Sequence, residues 1–122
     1  MIGIGTDLVE VDRFRAVLDR TPGLAARVFT EAELAYAGRR PDPTERLAAR
    51  FAAKEAVMKA LGVGLGAFSL RDVEVVRDEG SGRPAITLAG AAADLAAARG
   101  VSSWLLTLTH TDRMAQAIAV AL

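Results

Sequence analysis

A long helix in the middle of the sequence is the feature that most constrains the fold. Asp42 is a preferred N-cap residue, Pro43 suits the first helical position, and Glu45 follows three residues after the cap. From there the sequence favours an uninterrupted helix to Leu61, and Gly62 ends it. We therefore expect a central helix on which the other elements pack.

Segments with strand character lie on both sides of this helix. Strands are predicted over residues 2–11, 71–77, 84–88, 101–110 and 114–122. Shorter helices are predicted over residues 12–20 and 24–28, after Thr30 with Glu33 completing a capping box, and over 90–99. Strands that flank a helical middle favour an α+β fold, here a compact single domain over residues 1–122 with a largely antiparallel sheet packed on the long central helix.

Composition excludes several classes of protein. The chain of 122 residues has no cysteine, which rules out disulfides and thiolate metal sites and suits the cytoplasm. Its formal net charge is zero, so no global charge points to nucleic acid or to an anionic membrane surface. No apolar run approaches the roughly 18 residues of a membrane span. Because so short a chain buries a limited share of its surface, we expect it to form an oligomer.

Glu55 is the first of two carboxylates at positions where an apolar residue would be expected. On a helical wheel it lies on the apolar side of the central helix with Phe51 and Met58, and Lys59 follows one turn later. Burying a lone carboxylate costs several kcal/mol unless it is paired or binds a cation. An i,i+4 ion pair with Lys59 would be an ordinary explanation.

Asp7 is the second such carboxylate, in the first strand. It shares a strand face with Val9 and Val11, and Gly3 and Gly5 leave that face open. Hydrogen bonding at the strand end would explain Asp7 alone, but two carboxylates that converge would suit Mg²⁺, which takes one or two of them and completes its shell with water and substrate phosphate. We therefore hypothesise a magnesium site, which Asp7→Ala and Glu55→Ala would test through the Mg²⁺ affinity.

Cations and glycines near the same helix form a candidate phosphate site. Arg50, Lys54 and Lys59 precede the loop Gly62-Val63-Gly64, whose backbone amides can approach a phosphate. The alternative is a helix C-cap at Gly62 with the cations on a solvated face. The only histidine, His110, ends a strand and is either a hydrogen-bonded, partly buried side chain or a phosphate contact.

Three segments carry a resemblance to a known family. These are GIGTDLVEVDRF at residues 3–14, RFAAKEAVMKALGVGLG at 50–66 and LTLTHTDRMAQAIAV at 106–120. In order and spacing they resemble the holo-acyl-carrier-protein synthases, the short phosphopantetheinyl transferases. The resemblance implies transfer of 4′-phosphopantetheine from coenzyme A to a serine of an apo acyl carrier protein, with release of adenosine 3′,5′-bisphosphate.

The resemblance also implies roles for individual residues. Asp7 and Glu55 match the Mg²⁺ ligands, Glu55 is the candidate base directly or through a water, and Lys59 neutralises charge on the transferred group. The positions that match a coenzyme A site are Arg50, Lys54, Lys59, Gly62, Gly64 and His110. Val63 stands where the family often has threonine, and the segments AGRRPDPTERLA and DEGSGRP match only loosely.

Partners follow from the same resemblance. The family assembles as a homotrimer with coenzyme A between neighbouring subunits, and its first helix supplies arginines to the acidic carrier protein. Arg13, Arg20 and Arg27 match this carrier-binding role, although surface arginines also serve solubility.

Two other functions use the same side chains. A Mg²⁺-dependent hydrolase of nucleotide pyrophosphates would need the carboxylates and cations but no carrier, so Arg13 and Arg20 would be dispensable. A non-catalytic coenzyme A-binding module would bind its ligand without needing Glu55 as a base.

Overall fold

One strand, four helices, a strand hairpin, a fifth helix and two final strands follow in that order, and the computed structural model describes all residues 1–122. The helices are α1 (Val11–Arg20), α2 (Leu24–Val28), α3 (Glu31–Ala37), α4 (Thr44–Ala60) and α5 (Gly90–Ala98). The strands are β1 (Gly3–Glu10), β2 (Val73–Arg77), β3 (Pro84–Leu88), β4 (Trp104–His110) and β5 (Met114–Ala121). These bounds confirm the predicted α+β fold, and they add a 3-10 turn at Leu70–Asp72 where the sequence predicts the start of a strand.

All strand pairs are antiparallel, as predicted, but they form two sheets. The first sheet has the order β1-β5-β4 and the second is the β2-β3 hairpin. In the first sheet Asp7 of β1 pairs with Ala117 of β5, and His110 of β4 pairs with Ala115. Two strands far apart in sequence therefore bring the N-terminal and C-terminal motifs side by side.

The ends of α4 follow the local sequence signals closely. Asp42 Oδ1 accepts hydrogen bonds from the amide and the hydroxyl of Thr44, at 3.0 and 2.7 Å, so the helix begins one residue later than predicted. These bonds, aided by Arg15, lower the pKa of Asp42 to about 2. At the other end Gly62 has φ 73°, its amide donates to Lys59 O, and the next amide donates to Met58 O. This is a Schellman C-cap, which a glycine accommodates without strain.

Two glycines bring β1 against the backbone of α4. A Cβ atom at Gly3 would lie 1.9 Å from Ala60 O, and one at Gly5 would lie 2.0 Å from Ala56 O. The expectation that these glycines leave the strand face open is therefore wrong, because α4 covers that face. Only glycine permits so close an approach.

A buried ion pair ties α4 to α3 and β2. The side chains of Lys54 and Glu33 are fully buried, and Lys54 Nζ lies 2.7 Å from Glu33 Oε1. Lys54 also donates to the carbonyls of Leu70 and Val73, while Glu33 accepts from the amides of Thr30 and Val75. Burial lowers the pKa of Lys54, and the charge of Glu33 opposes this. The pair fixes the β2-β3 hairpin to the helical layer.

The core lies on both sides of α4. One cluster packs α4 against the two sheets and α5, and the other packs it against α1, α2 and α3. No helix of the structure combines the length and the apolar character needed to cross a membrane.

Candidate functional site

Close packing of β1 on α4 brings three of the predicted site residues together. Lys59 Nζ donates to Thr6 O at 2.9 Å and lies 3.2 Å from Asp7 Oδ1. Its ion pair is therefore with the strand carboxylate, and no ion pair forms with Glu55 one turn earlier. The ordinary explanation of Glu55 by an i,i+4 pair is thus ruled out.

The electrostatics of Glu55 reflect this arrangement. Burial and then the negative charge of Asp7 raise the pKa of Glu55, while Lys59 opposes the shift. Two carboxylates therefore interact across the strand–helix contact, with a single ammonium beside them. No group of three or more histidine, aspartate and glutamate side chains could hold a metal ion. The pair fits Mg²⁺ nonetheless, because this ion needs few protein ligands when water and phosphate complete its shell.

A largely apolar cavity of about 600 Å³ opens beside the two carboxylates. Asp7, Glu55 and Arg13 line it, and ten of its 14 lining residues are hydrophobic. Phe14 of α1 and Phe51 of α4 form part of the wall, with their ring centroids 5.1 Å apart. Sequence reasoning assigned these aromatic residues to the apolar stripes of their helices and missed the cavity between them.

A second cavity, of about 320 Å³, contains two other predicted residues, Arg50 and His110. It shares no lining residue with the first cavity. The sequence prediction missed four further members of its lining, which are Tyr36, Arg40, Arg46 and Arg77. All four lie in or beside the two loosely matching segments, where the arginines at positions 39, 40, 46 and 77 were the available signal. His110 is half-exposed, and its Nδ1 lies 3.5 Å from Glu45 Oε1.

The structure corrects one of the predicted coenzyme A contacts and gives the amide of another a role within the chain. Lys54 is fully buried and its ammonium binds Glu33 and two carbonyls, so it holds the fold together and does not face a ligand. The Gly62 amide is used within the helix C-cap, which is the alternative that the sequence left open. Gly64 is exposed, and its amide donates to no group of the chain.

The three arginines predicted to bind a carrier protein are exposed and without partners. Arg13 and Arg20 lie on α1 and Arg27 lies on α2, and none of them forms an ion pair or a side-chain hydrogen bond. Arg15, also on α1, is different because it is paired with Asp12 and Asp42. The free arginines therefore leave positive charge available on α1 and α2, and Arg13 brings it to the apolar cavity.

Comparison with known proteins agrees with this arrangement. A model of the 4′-phosphopantetheinyl transferase superfamily matches residues 3–121. A holo-[acyl-carrier-protein] synthase of Frankia casuarinae is 51% identical over 121 residues, which are 99% of this chain and 97% of that protein.

Solved structures give the same result. The holo-[acyl-carrier-protein] synthase of Neisseria meningitidis superimposes with a TM-score of 0.89 at 34% identity, covering 100% of this chain and 99% of the other. The enzyme of Bacillus anthracis in complex with coenzyme A (3′,5′-ADP) superimposes with a TM-score of 0.80 at 32% identity, covering 98% and 95%. The resemblance of the three motifs is thereby confirmed, and the chain belongs to the 4′-phosphopantetheinyl transferase superfamily.

Proposed function

We propose that this chain transfers 4′-phosphopantetheine from coenzyme A to a serine of an apo acyl carrier protein and releases adenosine 3′,5′-bisphosphate. The observation that carries the proposal is the convergence of Asp7, Glu55 and Lys59 at the edge of the apolar cavity. Relatives that align over nearly the whole chain carry the name holo-[acyl-carrier-protein] synthase. Fatty-acid or polyketide synthesis in the cytoplasm is the setting that the same proposal implies.

Glu55 and Lys59 have complementary tasks in this reaction. The serine hydroxyl must lose its proton as its oxygen attacks phosphorus, and a carboxylate with a raised pKa is a better acceptor for that proton. Lys59 is half-exposed and can neutralise charge on the transferred phosphoryl group while it stays near Asp7. When bound, Mg²⁺ held by Asp7 and Glu55 would offset the charge of the pyrophosphate.

The predicted coenzyme A contacts other than Lys54 and the Gly62 amide lie at or beside two separate cavities, so coenzyme A would have to reach both. Asp7, Glu55 and Lys59 lie at or beside the first cavity, whereas Arg50 and His110 lie in the second. We therefore propose that a neighbouring copy of the chain supplies Arg50 and His110, so that each site forms between two subunits of a homotrimer. The exposed amide of Gly64 remains available for a phosphate.

An exposed apolar surface supports this assembly. The face of the β1-β5-β4 sheet opposite α4 carries Ile4, Leu8 and Leu105, each 59% exposed, together with Ile118. Contiguous exposed apolar side chains are typical of protein–protein interfaces. A second copy of the same chain is the occupant that would also complete the coenzyme A site.

The carrier protein is expected to contact the free arginines of α1 and α2. Charge reversal by Arg13→Glu should raise KM for the carrier more than KM for coenzyme A, because Arg13 lies beside the reacting groups and has no partner within the chain. Arg83→Glu, at an exposed position in the β2-β3 turn, is the matched control and should leave the carrier KM unchanged. Equal effects on the two substrates would argue against a carrier contact.

Intact-protein mass spectrometry tests the proposed reaction directly. An apo acyl carrier protein incubated with this chain, coenzyme A and Mg²⁺ should gain the mass of one phosphopantetheine, and EDTA should abolish the gain. Breakdown of coenzyme A without any gain would favour the hydrolase. Absence of both, tested with more than one carrier, would favour the binding module.

The metal ligands are tested separately from activity. Calorimetric titration of the chain with Mg²⁺ in the presence of adenosine 3′,5′-bisphosphate should show weaker binding for Asp7→Ala and Glu55→Ala. Unchanged Mg²⁺ affinity in both variants would remove these residues from the metal site.

A further inference from the structure

Tyr36 is surrounded by arginines at the edge of the second cavity. The guanidinium carbons of Arg46 and Arg50 each lie 4.3 Å from the centroid of its ring. Arg77 donates from Nη1 to the Tyr36 hydroxyl at 2.9 Å, and its guanidinium carbon lies 5.8 Å from the ring centroid. One aromatic side chain thus contacts three cations that line the cavity and come from two different elements, α4 and β2.

Such a cluster needs an explanation because like charges repel. No carboxylate lines the cavity to compensate Arg46, Arg50 and Arg77. The negative face of an aromatic ring attracts a guanidinium, and a phenol oxygen accepts a hydrogen bond from one. Tyr36 provides both interactions, and its own carbonyl accepts a further bond from Arg46 Nη1 at 2.9 Å. It therefore holds the cations together without neutralising them.

Two further observations describe the charge balance of the cluster. Arg50 is only 6% exposed, and its buried Nε has no hydrogen-bond partner. Burial alone would raise the pKa of Tyr36, but the bond from Arg77 and the charges of Arg46, Arg77 and Arg50 outweigh it and lower that pKa. An unpaired buried guanidinium nitrogen costs free energy unless a ligand satisfies it.

We infer that Tyr36 is a positioning residue, which holds Arg46, Arg50 and Arg77 in place to bind a phosphate monoester, the ribose 3′-phosphate of coenzyme A. This inference rests on the proposed function. If the carboxylates and Lys59 take the pyrophosphate, the ribose phosphate is the remaining dianion of coenzyme A. Guanidinium groups suit it because they present several donors in a planar fork.

A purely structural role for Tyr36 makes a different prediction. If Tyr36 only packs α3 against α4, its replacement would weaken the binding of every nucleotide by the same factor. If it positions the arginines, the effect depends on whether the ligand carries the 3′-phosphate. Dephospho-coenzyme A, which lacks only that group, separates the two roles.

The decisive experiment compares KM for coenzyme A with KM for dephospho-coenzyme A in two variants of the intact protein. Tyr36→Leu removes the ring and the hydroxyl, and it should raise KM for coenzyme A roughly tenfold, because only part of the lost cation–π and hydrogen-bond energy serves to hold the arginines in place. Tyr36→Phe keeps the ring and should raise it roughly threefold, because only the bond from Arg77 is lost. In both variants KM for dephospho-coenzyme A should change by less than about twofold, as should kcat with either substrate.

Arg39→Ala is the matched control. Arg39 also lies over the Tyr36 ring, at 5.5 Å, but it does not line the cavity, so its removal should leave both KM values unchanged. Equal increases in the two KM values for Tyr36→Leu, or no increase in either, would overturn the inference.

Binding of the product distinguishes failure of this inference from failure of the proposed function. Calorimetry should show that the wild-type chain binds adenosine 3′,5′-bisphosphate more tightly than adenosine 5′-monophosphate and that Tyr36→Leu loses most of this preference. That outcome supports the role of Tyr36 even if no carrier is modified. A preference that survives in Tyr36→Leu contradicts the role even if transfer is observed.

Discussion

The contact between β1 and α4 makes a sharp prediction for Gly5→Ala. A Cβ atom at this position would lie 2.0 Å from Ala56 O and 2.8 Å from Ala60 N. Ordinary contacts of a Cβ atom begin at 3.4 Å, so β1 and α4 would have to separate by about 1.4 Å, the difference between 3.4 and 2.0 Å. Backbone atoms cannot rotate away as a flexible side chain can.

This displacement has a cost in stability that can be estimated. Overpacking of a core typically costs about 1–3 kcal/mol, and a clash with the backbone belongs at the upper end of that range or above it. We therefore expect Gly5→Ala to lower the free energy of unfolding by about 3 kcal/mol or more. With a urea m-value of about 1–3 kcal/mol/M for a small protein, the midpoint should fall by roughly 1–3 M.

The same displacement should disrupt the candidate site. Lys59 Nζ donates to Thr6 O at 2.9 Å, and a shift of β1 by more than 1 Å takes that carbonyl beyond hydrogen-bond reach. Transfer activity of the folded Gly5→Ala variant should therefore fall as well. Urea unfolding followed by circular dichroism, at one fixed protein concentration, and the carrier mass assay measure the two effects.

Gly80→Ala is the control for the substitution itself. A Cβ atom there would meet only Asp78 Oδ2, at 3.6 Å, and Gly80 is not among the glycines with positive φ. The urea midpoint of Gly80→Ala should therefore stay close to that of the wild type. The expected change corresponds to about 0.5 kcal/mol or less, which is usual for a substitution at the surface. If Gly5→Ala were as stable as Gly80→Ala, the contact would not be as tight as described and the reasoning would fail.

Two further predictions concern the buried ion pair and the start of α4. Lys54→Met should lower the free energy of unfolding by about 3–5 kcal/mol, because it leaves Glu33 buried without its cation. In urea unfolding, the double variant with Glu33→Gln should lose less stability than the sum of the two single losses. Strict additivity would contradict the coupling. Asp42→Asn should remove a pH dependence of the free energy of unfolding. Hydrogen bonds from Thr44 hold the pKa of Asp42 at about 2, below its ordinary 3.8. The stabilisation by ionised Asp42 is therefore present above pH 3.8 and is lost as the pH falls towards 2. Urea midpoints of wild type and Asp42→Asn should therefore differ most above pH 4 and converge near pH 2, and a constant difference would contradict this role.

Signals local to the chain predict the elements well. The capping box of Thr30 and Glu33 forms as expected, and Gly62 ends α4 as expected. Each of these depends on residues within one turn of a helix, so the sequence contains the whole interaction. The one-residue shift at the start of α4 arises because Asp42 accepts from Thr44 and leaves Pro43 outside the helix.

Contacts between distant segments account for what the sequence could not predict. Lys54 looks like a surface cation on a helical wheel, but α3 and β2 cover it and supply its partners. The glycines of β1 look like open space until α4 is placed against them. Tyr36 gains its significance only when β2 brings Arg77 to its hydroxyl. Periodicity reports which side of an element is apolar, and it does not report which element will cover that side.

Helix α4 contributes to both cavities, and this has a consequence for mixed assemblies. Glu55 lines one cavity and Arg50 lines the other. In the proposed ring of three copies, each α4 then serves two reaction centres, one through each of these side chains. A chain lacking Glu55 and a chain lacking Arg50 would each be inactive alone, yet a ring that contains both would have one boundary where an intact Glu55 meets an intact Arg50. Two inactive variants should therefore restore activity when refolded together.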